Sequence, residues 1–360
     1  MTTTKALSIA IQAGTPVLAW GPPGVGKTAA ITAVADALNV PLEVVLASIR
    51  EPSDFSGLPV IRDDGVTMEA PSWARRLAQS GKGILFLDEI STAPPAVQAA
   101  LLRVVLDRVV GDMELPVGVA VVAAANPPEQ AAGGWDLSAP LANRFCHLSW
   151  GLDTQAWIDG MIQGWPVPSV DRLPEKWQDG IPAARALVAA FIRHRPHLLL
   201  QVPASEEQAG KAWPSPRSWD MASRLLAASD AAQAGEDVTA SLMAGCVGDG
   251  VGLEFLAWRR DLDLPDPEEV LANPSKFRVP DRGDQAFAVL TAVVSAAVRD
   301  LTKPRWLAAW TVLARAADQG AKDIAAASAK ALAQARKPGL PLPKKELQGF
   351  IPLLQKGGLM

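Results

Sequence analysis

Cysteine and histidine, which build covalent frameworks and metal sites, are scarce in this chain of 360 residues: it has two cysteines and three histidines. Cys146 and Cys246 lie in apolar or glycine-rich surroundings without paired ligand spacing, so we expect no disulfide framework or metal cluster and interpret both as core thiols. His194 and His197 are three residues apart, but Pro196 lies between them and no carboxylate or cysteine joins them. This pattern argues against a zinc site.

Long hydrophobic runs and an excess of positive charge are also missing. The longest apolar run near the middle of the chain covers residues 115–125 and contains Pro116 and Gly118, whereas a membrane-spanning helix needs ~20 apolar residues. The first five residues show no secretory signal pattern, so we expect a cytoplasmic protein without membrane insertion. The net charge is −4, so no overall positive field attracts nucleic acid. The net charge does not exclude local basic patches.

Apolar residues are plentiful: 49% of the chain is hydrophobic and 20% is charged. A chain of this length buries a large core and divides into about two or three domains. In the first 150 residues, short apolar runs alternate with helical patterns, which is typical of a parallel sheet with crossover helices. The predicted strands cover residues 17–20, 42–47, 84–88, 119–124 and 145–149, and the predicted helices cover residues 4–12, 27–38, 73–80, 95–108 and 138–143.

A phosphate-binding motif follows the first predicted strand and precedes the second predicted helix. It consists of Gly21, Pro22, Pro23, Gly24, Val25, Gly26, Lys27 and Thr28. Glycines allow successive backbone N–H groups to surround the phosphates, the lysine reaches the β- and γ-phosphates, and the threonine hydroxyl binds Mg²⁺. The motif in this context predicts a nucleotide site, and a glycine turn with an incidental lysine is the alternative.

Two acids, Asp88 and Glu89, stand at the carboxyl end of the apolar run 84–87. Ligands of parallel sheets bind at this edge. In a phosphate-loop protein the first acid holds Mg²⁺ beside Thr28, and the second orients and deprotonates the attacking water. Simple nucleotide kinases need no second acid, so the pair favours hydrolysis. An exposed acidic pair at a strand end is the alternative.

Asn126 follows the apolar run 119–125 and precedes Pro127. By itself an Asn-Pro pair is ordinary turn sequence. Because this strand comes after the two acids, we prefer the interpretation that the Asn126 amide positions the same water.

Residues 50–72 form an insert that the nucleotide site does not need. Asp63, Asp64 and Gly65 separate the apolar runs 58–61 and 66–68, which predicts a β-hairpin. The insert either couples the nucleotide site to a partner or is a passive surface loop.

The motifs at 21–28, 84–90, 124–127 and 141–145 occur in the order and approximate spacing of the AAA+ ATPases. The chain most resembles the MoxR group, in the helix-2-insert branch that also contains the dynein-related and chelatase ATPases. Segments 71–74, 98–102 and 214–217 strengthen the resemblance, which covers about residues 1–235.

The resemblance implies a role for each motif residue. Residues 21–28 are the Walker A loop for ATP, and Asp88 and Glu89 are Walker B, so that Thr28 and Asp88 hold Mg²⁺. Asn126 is sensor 1, Arg144 is the arginine finger and Arg217 is sensor 2. A finger acts on the γ-phosphate of a neighbouring subunit. A surface arginine and a plain helix-start arginine are the respective alternatives for Arg144 and Arg217.

The resemblance also implies an architecture. It consists of an AAA+ core of a five-stranded parallel sheet in an αβα sandwich over residues 1–150, with the helix-2 insert at about 50–72. A linker and an α-helical lid with sensor 2 follow over 151–245. Independently of the resemblance, the mostly helical pattern of the sequence predicts an additional helical domain over 246–360. Two features depart from the family: the segment between Arg144 and Arg217 is longer and richer in Trp and Pro than a compact lid, and the chain continues past the usual lid.

The function implied is ATP hydrolysis in a ring, expected to be a hexamer, that remodels or matures a protein client. MoxR-like proteins commonly work with partners that carry a von Willebrand factor A domain, so we expect such a partner. Two rivals stay open: a nucleic-acid-directed motor of the same superfamily, against which the acidic charge argues, and a scaffold that assembles with ATP but hardly turns it over.

Overall fold

The computed structural model describes residues 2–63, 65–127, 130, 135–170, 172–262 and 264–356. Within these ranges the strands are β1 (Val17–Trp20), β2 (Leu42–Leu46), β3 (Leu58–Arg62), β4 (Gly65–Glu69), β5 (Lys82–Asp88), β6 (Val109–Val110), β7 (Met113–Glu114), β8 (Gly118–Ala125) and β9 (Cys146–Ser149). The helices up to residue 178 are α1 (Thr2–Gln12), α2 (Lys27–Leu38), α3 (Ser53–Ser56), α4 (Ser72–Ser80), α5 (Pro95–Asp107), α6 (Ala139–Ala142) and α7 (Thr154–Gln163).

The later helices of the described chain are α8 (Ile181–His194), α9 (Glu206–Ala209), α10 (Pro216–Ala231), α11 (Glu236–Val247), α12 (Asp249–Arg260), α13 (Pro267–Ala272), α14 (Gly283–Arg299), α15 (Lys303–Ala316), α16 (Lys322–Gln334), α17 (Lys344–Leu347) and α18 (Ile351–Lys356). Short 3-10 helices cover Ala47–Ile49, Ile90–Thr92, Trp177–Gly180, Pro196–Leu198 and Pro274–Lys276, and a π-helical turn covers Ala317–Ala321. In these ranges, no helix combines the length and apolar character needed to cross a bilayer.

A five-stranded parallel sheet in the order β2-β5-β8-β1-β9 forms the centre of the first 150 residues. Its inner strands are apolar because helices cover both faces, and Ile84 to Leu87 of β5 are fully buried. All five predicted sheet strands are confirmed. Strand β5 begins two residues earlier than predicted, and β8 extends one residue further at each end. The five predicted helices of this region are also present, within two residues at either end.

The parallel strands give the sheet two chemically different edges. At the carboxyl edge, where the strands end, the chain continues from β1 into the loop 21–28, from β5 into Glu89 and from β8 into Asn126. At the opposite edge, which we call the amino edge, the strands begin, and Cys146 of β9 pairs with Val17 of β1. Residues that follow a strand and residues that precede one are therefore separated by the height of the sheet.

Strands β3 and β4 form the predicted antiparallel hairpin, which is confirmed; Asp64 of its predicted turn lies outside the described residues. The turn between β6 and β7 holds the end of β4, because Asp112 N–H donates to the Met68 carbonyl at 3.0 Å and Met68 N–H donates to Asp112 Oδ2 at 2.7 Å. Near the tip, Ile61 faces its partner Val66, and these side chains are 88% and 64% exposed. The hairpin is thus fixed at one end and exposes apolar side chains at the other.

The described chain divides into two units: residues 1–178 with 198–254, and residues 179–197 with 255–360. The first unit contains the sheet. In the second unit, the ring of Phe191 in α8 lies 5.3 Å from the rings of both Phe255 and Trp258 in α12. The fully buried rings of Trp306 and Trp310 pack edge to face, 5.8 Å apart. Helix α8 thus shares a core with the C-terminal helices. The domain boundaries 1–150, 151–245 and 246–360 remain a prediction from the sequence.

Candidate nucleotide-binding site

The loop 21–28 connects β1 to α2 at the carboxyl edge. Gly24 and Gly26 have φ angles of 79° and 85°, which side chains disfavour. Gly21 is needed for another reason, because a Cβ there would overlap the carbonyl oxygen of Trp150. No side chain caps the start of α2, so the N–H groups of its first turn remain for an anion. The loop has the geometry that phosphate binding requires.

Lys27 connects the loop to the end of β8. Its Nζ donates to the carbonyl oxygens of Gly21 at 2.6 Å and Pro22 at 2.9 Å, and to Asn126 Oδ1 at 2.9 Å. Burial lowers the pKa of Lys27, and the negative charge of Asp88 opposes that shift. The structure therefore brings Lys27 and Asn126 into direct contact, although 99 residues separate them.

Asp88 links the loop to the strand that carries the two acids. The Thr28 hydroxyl donates to Asp88 Oδ2 at 2.9 Å, and the Glu89 N–H donates to Asp88 Oδ1 at 2.9 Å. The Asn126 N–H in turn donates to the hydroxyl of Ser91 at 3.3 Å, in the turn after Glu89. The residues predicted from three separate motifs thus form one connected polar group at the carboxyl edge.

Glu89 has a strained backbone and a partner that the sequence analysis missed. Its φ of 57° lies in the left-handed region, which costs a residue other than glycine on the order of 1–3 kcal/mol and is common at functional sites. Its Oε2 accepts a hydrogen bond of 2.7 Å from the hydroxyl of Ser48, in the turn that follows β2. Because β2 pairs with β5, Ser48 reaches Glu89; this strand order cannot be read from the local sequence around Ser48.

Arg144 and Arg217 lie together at the amino edge, apart from the other predicted residues. Arg144 precedes β9, and its neighbour Asn143 accepts a buried hydrogen bond of 2.6 Å from Ser215, the N-cap of α10. Burial lowers the pKa of Arg144, and the nearby positive charge of Arg217 lowers it further. The buried Nε of Arg144 has no hydrogen-bond partner, its Nη1 donates to the Pro140 carbonyl, and the negative charge of Asp107 opposes the lowering of its pKa. The two guanidinium groups therefore form a cationic pair, with the Asp107 carboxylate near Arg144.

Trp20 and His147 connect β1 to β9 directly before the loop. Trp20 Nε1 donates to His147 Nδ1 at 2.8 Å, so the imidazole proton lies on Nε2, which donates to the Ala142 carbonyl at 2.9 Å. Burial lowers the pKa of His147 to about 4, although the hydrogen bond to Ala142 opposes the shift. Both residues line a cavity of about 580 Å³ in the first unit, together with Ser149, Ala244, Gly245 and Gly248.

The sheet order and the loop after β1 define a P-loop nucleotide-binding domain. Residues 16–145 match the family model of the AAA domain, dynein-related subfamily. This match to an AAA domain covers a little over a third of the chain.

Two solved structures are similar to this chain in part. One is a protein from Cytophaga hutchinsonii, provisionally described as an ATPase, with 17% identity, a TM-score of 0.43, and coverage of 70% of this chain and 87% of that one. The other is a full-length MCM homolog from Methanopyrus kandleri, with 20% identity, a TM-score of 0.39, and coverage of 70% and 54%. With TM-scores this low, the fold assignment rests on the sheet and the family match. No curated protein sequence matches the chain.

Proposed function

We propose that the chain is an Mg²⁺-dependent, ATP-hydrolysing AAA+ ring protein of the MoxR type that remodels or matures a protein client. The observation that carries the proposal is the division of its polar site residues between two edges of one sheet. Residues for binding and hydrolysis meet at the carboxyl edge, namely Lys27, Thr28, Asp88, Glu89 and Asn126. The cationic pair, Arg144 and Arg217, lies at the amino edge.

The carboxyl edge suits a nucleoside triphosphate. Lys27 already satisfies three acceptors, and phosphate oxygens can replace them. The Thr28 hydroxyl and the Asp88 carboxylate are oxygen donors of the type that Mg²⁺ prefers, and their contact of 2.9 Å puts both at one point. Mg²⁺ bound there supplies neutralisation of phosphate charge. Glu89 can then accept a proton from water, while Asn126 orients it.

The cavity beside Trp20 suits the base of the nucleotide. Trp20, which lines the cavity, directly precedes Gly21 of the phosphate loop. Its volume of about 580 Å³ lies within the range of small-molecule sites, and it combines an indole ring with the small residues Ala244, Gly245 and Gly248. A planar base can lie between these two surfaces.

The position of the arginine pair supports a role at the site of a neighbouring subunit. Four residues of β1 separate the pairing level of Cys146 from Gly21, which corresponds to about 13 Å along the strand. Arg144 and Arg217 therefore start on the opposite edge from their own phosphate loop. Two adjacent guanidinium groups attract the phosphates of a second copy, and such a contribution accelerates hydrolysis by about 10³–10⁵. This arrangement favours a closed ring, which we propose is a hexamer.

A mixing experiment tests action between subunits. Arg144→Ala and Glu89→Gln chains should each be inactive, because every interface lacks one group. Mixed in ATP and Mg²⁺, they should recover part of the wild-type ATPase activity, because some interfaces then combine an intact Glu89 with an intact Arg144. Arg217→Ala should behave like Arg144→Ala in the same mixture. No recovery in rings proven to be mixed would show that the arginines act elsewhere.

The protein-directed role rests on the hairpin. Its fixed base and exposed apolar tip suit contact with another protein, and we propose that it couples ATP turnover to the client with the help of a von Willebrand factor A domain partner. The rival motor on nucleic acid predicts that DNA stimulates ATPase activity at moderate salt. We expect no such stimulation.

A further inference from the structure

Helix α7 exposes a continuous apolar surface in the first unit. All of its residues are exposed except Gly160. Trp157 and Met161 are 47% and 63% exposed, and Ile158 and Ile162 are 39% and 76% exposed. Each pair is spaced i, i+4, so the four side chains lie on adjoining parts of one helix. We call these four residues the α7 surface.

Residues directly before and after α7 stabilise the helix. Asp153 caps its first turn by accepting a 3.0 Å hydrogen bond from the Ala156 N–H. The ring of Trp165, itself 62% exposed, packs so closely on Gly160 that a Cβ there would lie 2.6 Å from a ring carbon. The α7 surface is therefore pre-organised, which reduces the entropy cost of binding.

The composition of this segment indicates a protein contact. Aromatic residues and methionine are enriched in protein interfaces, and contiguous exposed apolar patches on soluble proteins commonly mark interaction sites. Residues 151–170 contain Asp153 and Asp159 but neither Lys nor Arg. Their negative charge opposes an anionic membrane surface and complements a cationic partner surface.

The position of α7 indicates which surface that is. The Trp150 N–H donates to the carbonyl of Trp20 at 2.5 Å, so the chain leaves β9 at the carboxyl edge, beside the start of the phosphate loop. Helix α7 begins four residues later. In the ring proposed above, the amino edge of the next copy, with exposed Arg217 and half-buried Arg144, must approach this same edge.

We propose that the α7 surface is a subunit contact that packs on a second copy of this chain, beside its Arg144 and Arg217. The apolar side chains form the centre of the contact, and Asp153 and Asp159 face the cationic pair. The proposal rests on the ring of the proposed function. It adds a specific contact that the nucleotide chemistry does not require.

The first test measures assembly of full-length variants in Mg²⁺ and a non-hydrolysable ATP analogue. Trp157→Ser/Ile162→Ser should raise the apparent dissociation constant of the assembly by about tenfold or more in sedimentation velocity. The matched control is Ile61→Ser/Val66→Ser, which removes two exposed apolar side chains from the hairpin and should assemble like the wild type. Analogue binding by dilute protomers should be the same in all three, which shows that the variants fold.

The second test locates the contact. A photo-crosslinker attached to an Ile162→Cys chain, mixed with a ¹⁵N-labelled copy, should give crosslinks between a light and a heavy chain at peptides that adjoin Arg144 or the start of α10. Crosslinks confined to one chain would overturn the proposal.

The outcomes separate this inference from the proposed function. A wild-type chain that stays monomeric with nucleotide contradicts the ring itself. A wild type that assembles together with an α7 variant that assembles equally well contradicts only the α7 contact. A third outcome is that the wild type binds neutral phosphatidylcholine vesicles, whereas Trp157→Ser/Ile162→Ser loses this binding and assembles normally. The α7 surface would then be a membrane contact, and the proposal would be overturned.

Discussion

The hydroxyl of Ser48 donates a hydrogen bond to Oε2 of Glu89 across 2.7 Å, and so connects the turn after β2 to the acid after β5. The bond occupies one oxygen of the carboxylate that we propose as the base. It also fixes the direction of a side chain whose backbone already lies in the left-handed region. A water that binds Oε2 of Glu89 competes with the Ser48 hydroxyl.

We expect Ser48→Ala to raise the basal ATPase rate about twofold to tenfold, because the carboxylate is then free to contact water. Nucleotide affinity should stay unchanged, since the Ser48 hydroxyl donates to Glu89 and not to a residue of the loop. Ser48→Thr keeps the hydroxyl and serves as the matched control. Steady-state phosphate release measures the effect, and a Ser48→Ala rate equal to or below that of the wild type would contradict it.

Lys27 and Glu89 should separate binding from hydrolysis. Lys27→Ala removes the charge that faces the phosphates and should weaken binding of a fluorescent ATP analogue by about 100-fold, as expected for a buried charge-assisted contact. Glu89→Gln should bind the analogue normally and lose about 10²–10⁴ in turnover. Lys82→Ala, at an exposed lysine on the amino edge, is the control. Equal affinity of Lys27→Ala and the wild type would exclude the proposed loop.

The hairpin should matter for the client but not for the ring. Replacement of residues 58–68 by a Gly-Ser turn should leave basal ATPase activity and assembly intact, because neither β3 nor β4 belongs to the central sheet. A Glu89→Gln chain in ATP should retain client proteins that mass spectrometry identifies. The same chain with the shortened hairpin should not retain them. Retention of the same proteins by both chains would make the hairpin a passive loop.

His147 should make the folded chain sensitive to mild acid. Its pKa of about 4 in the folded state lies below the ordinary value of 6.5, so the unfolded chain binds the proton first. Neutral His147 therefore contributes to the free energy of unfolding. This contribution is fully present above about pH 6.5 and declines by up to about 3 kcal/mol as the pH falls toward 4.

Urea unfolding at several pH values between 7 and 4 measures this slope. His147→Gln lacks the titrating group and should lose less stability over that interval, while the carboxylates contribute equally to both chains. Parallel pH dependences would show that His147 does not titrate as its environment indicates.

The amino-acid sequence by itself determined the local elements of the site. The strand 17–20, the loop 21–28 and helix 27–38 follow from glycines, an apolar run and helical periodicity within one short segment, and so does the hairpin around Asp63 and Gly65. These features depend on backbone conformation and on neighbours a few residues away, which a local pattern records.

Only the tertiary structure decided which distant residues meet. The order β2-β5-β8-β1-β9 brings Ser48 to Glu89 and Lys27 to Asn126, and the direction of β9 puts Arg144 on the edge opposite its own loop. Strand order results from the joint packing of the whole core, in which each pairing contributes little by itself. The sequence also could not predict that the apolar side chains of α7 are exposed. Their pattern is the same as that of a buried helix, and only the fold shows that no described residue covers them.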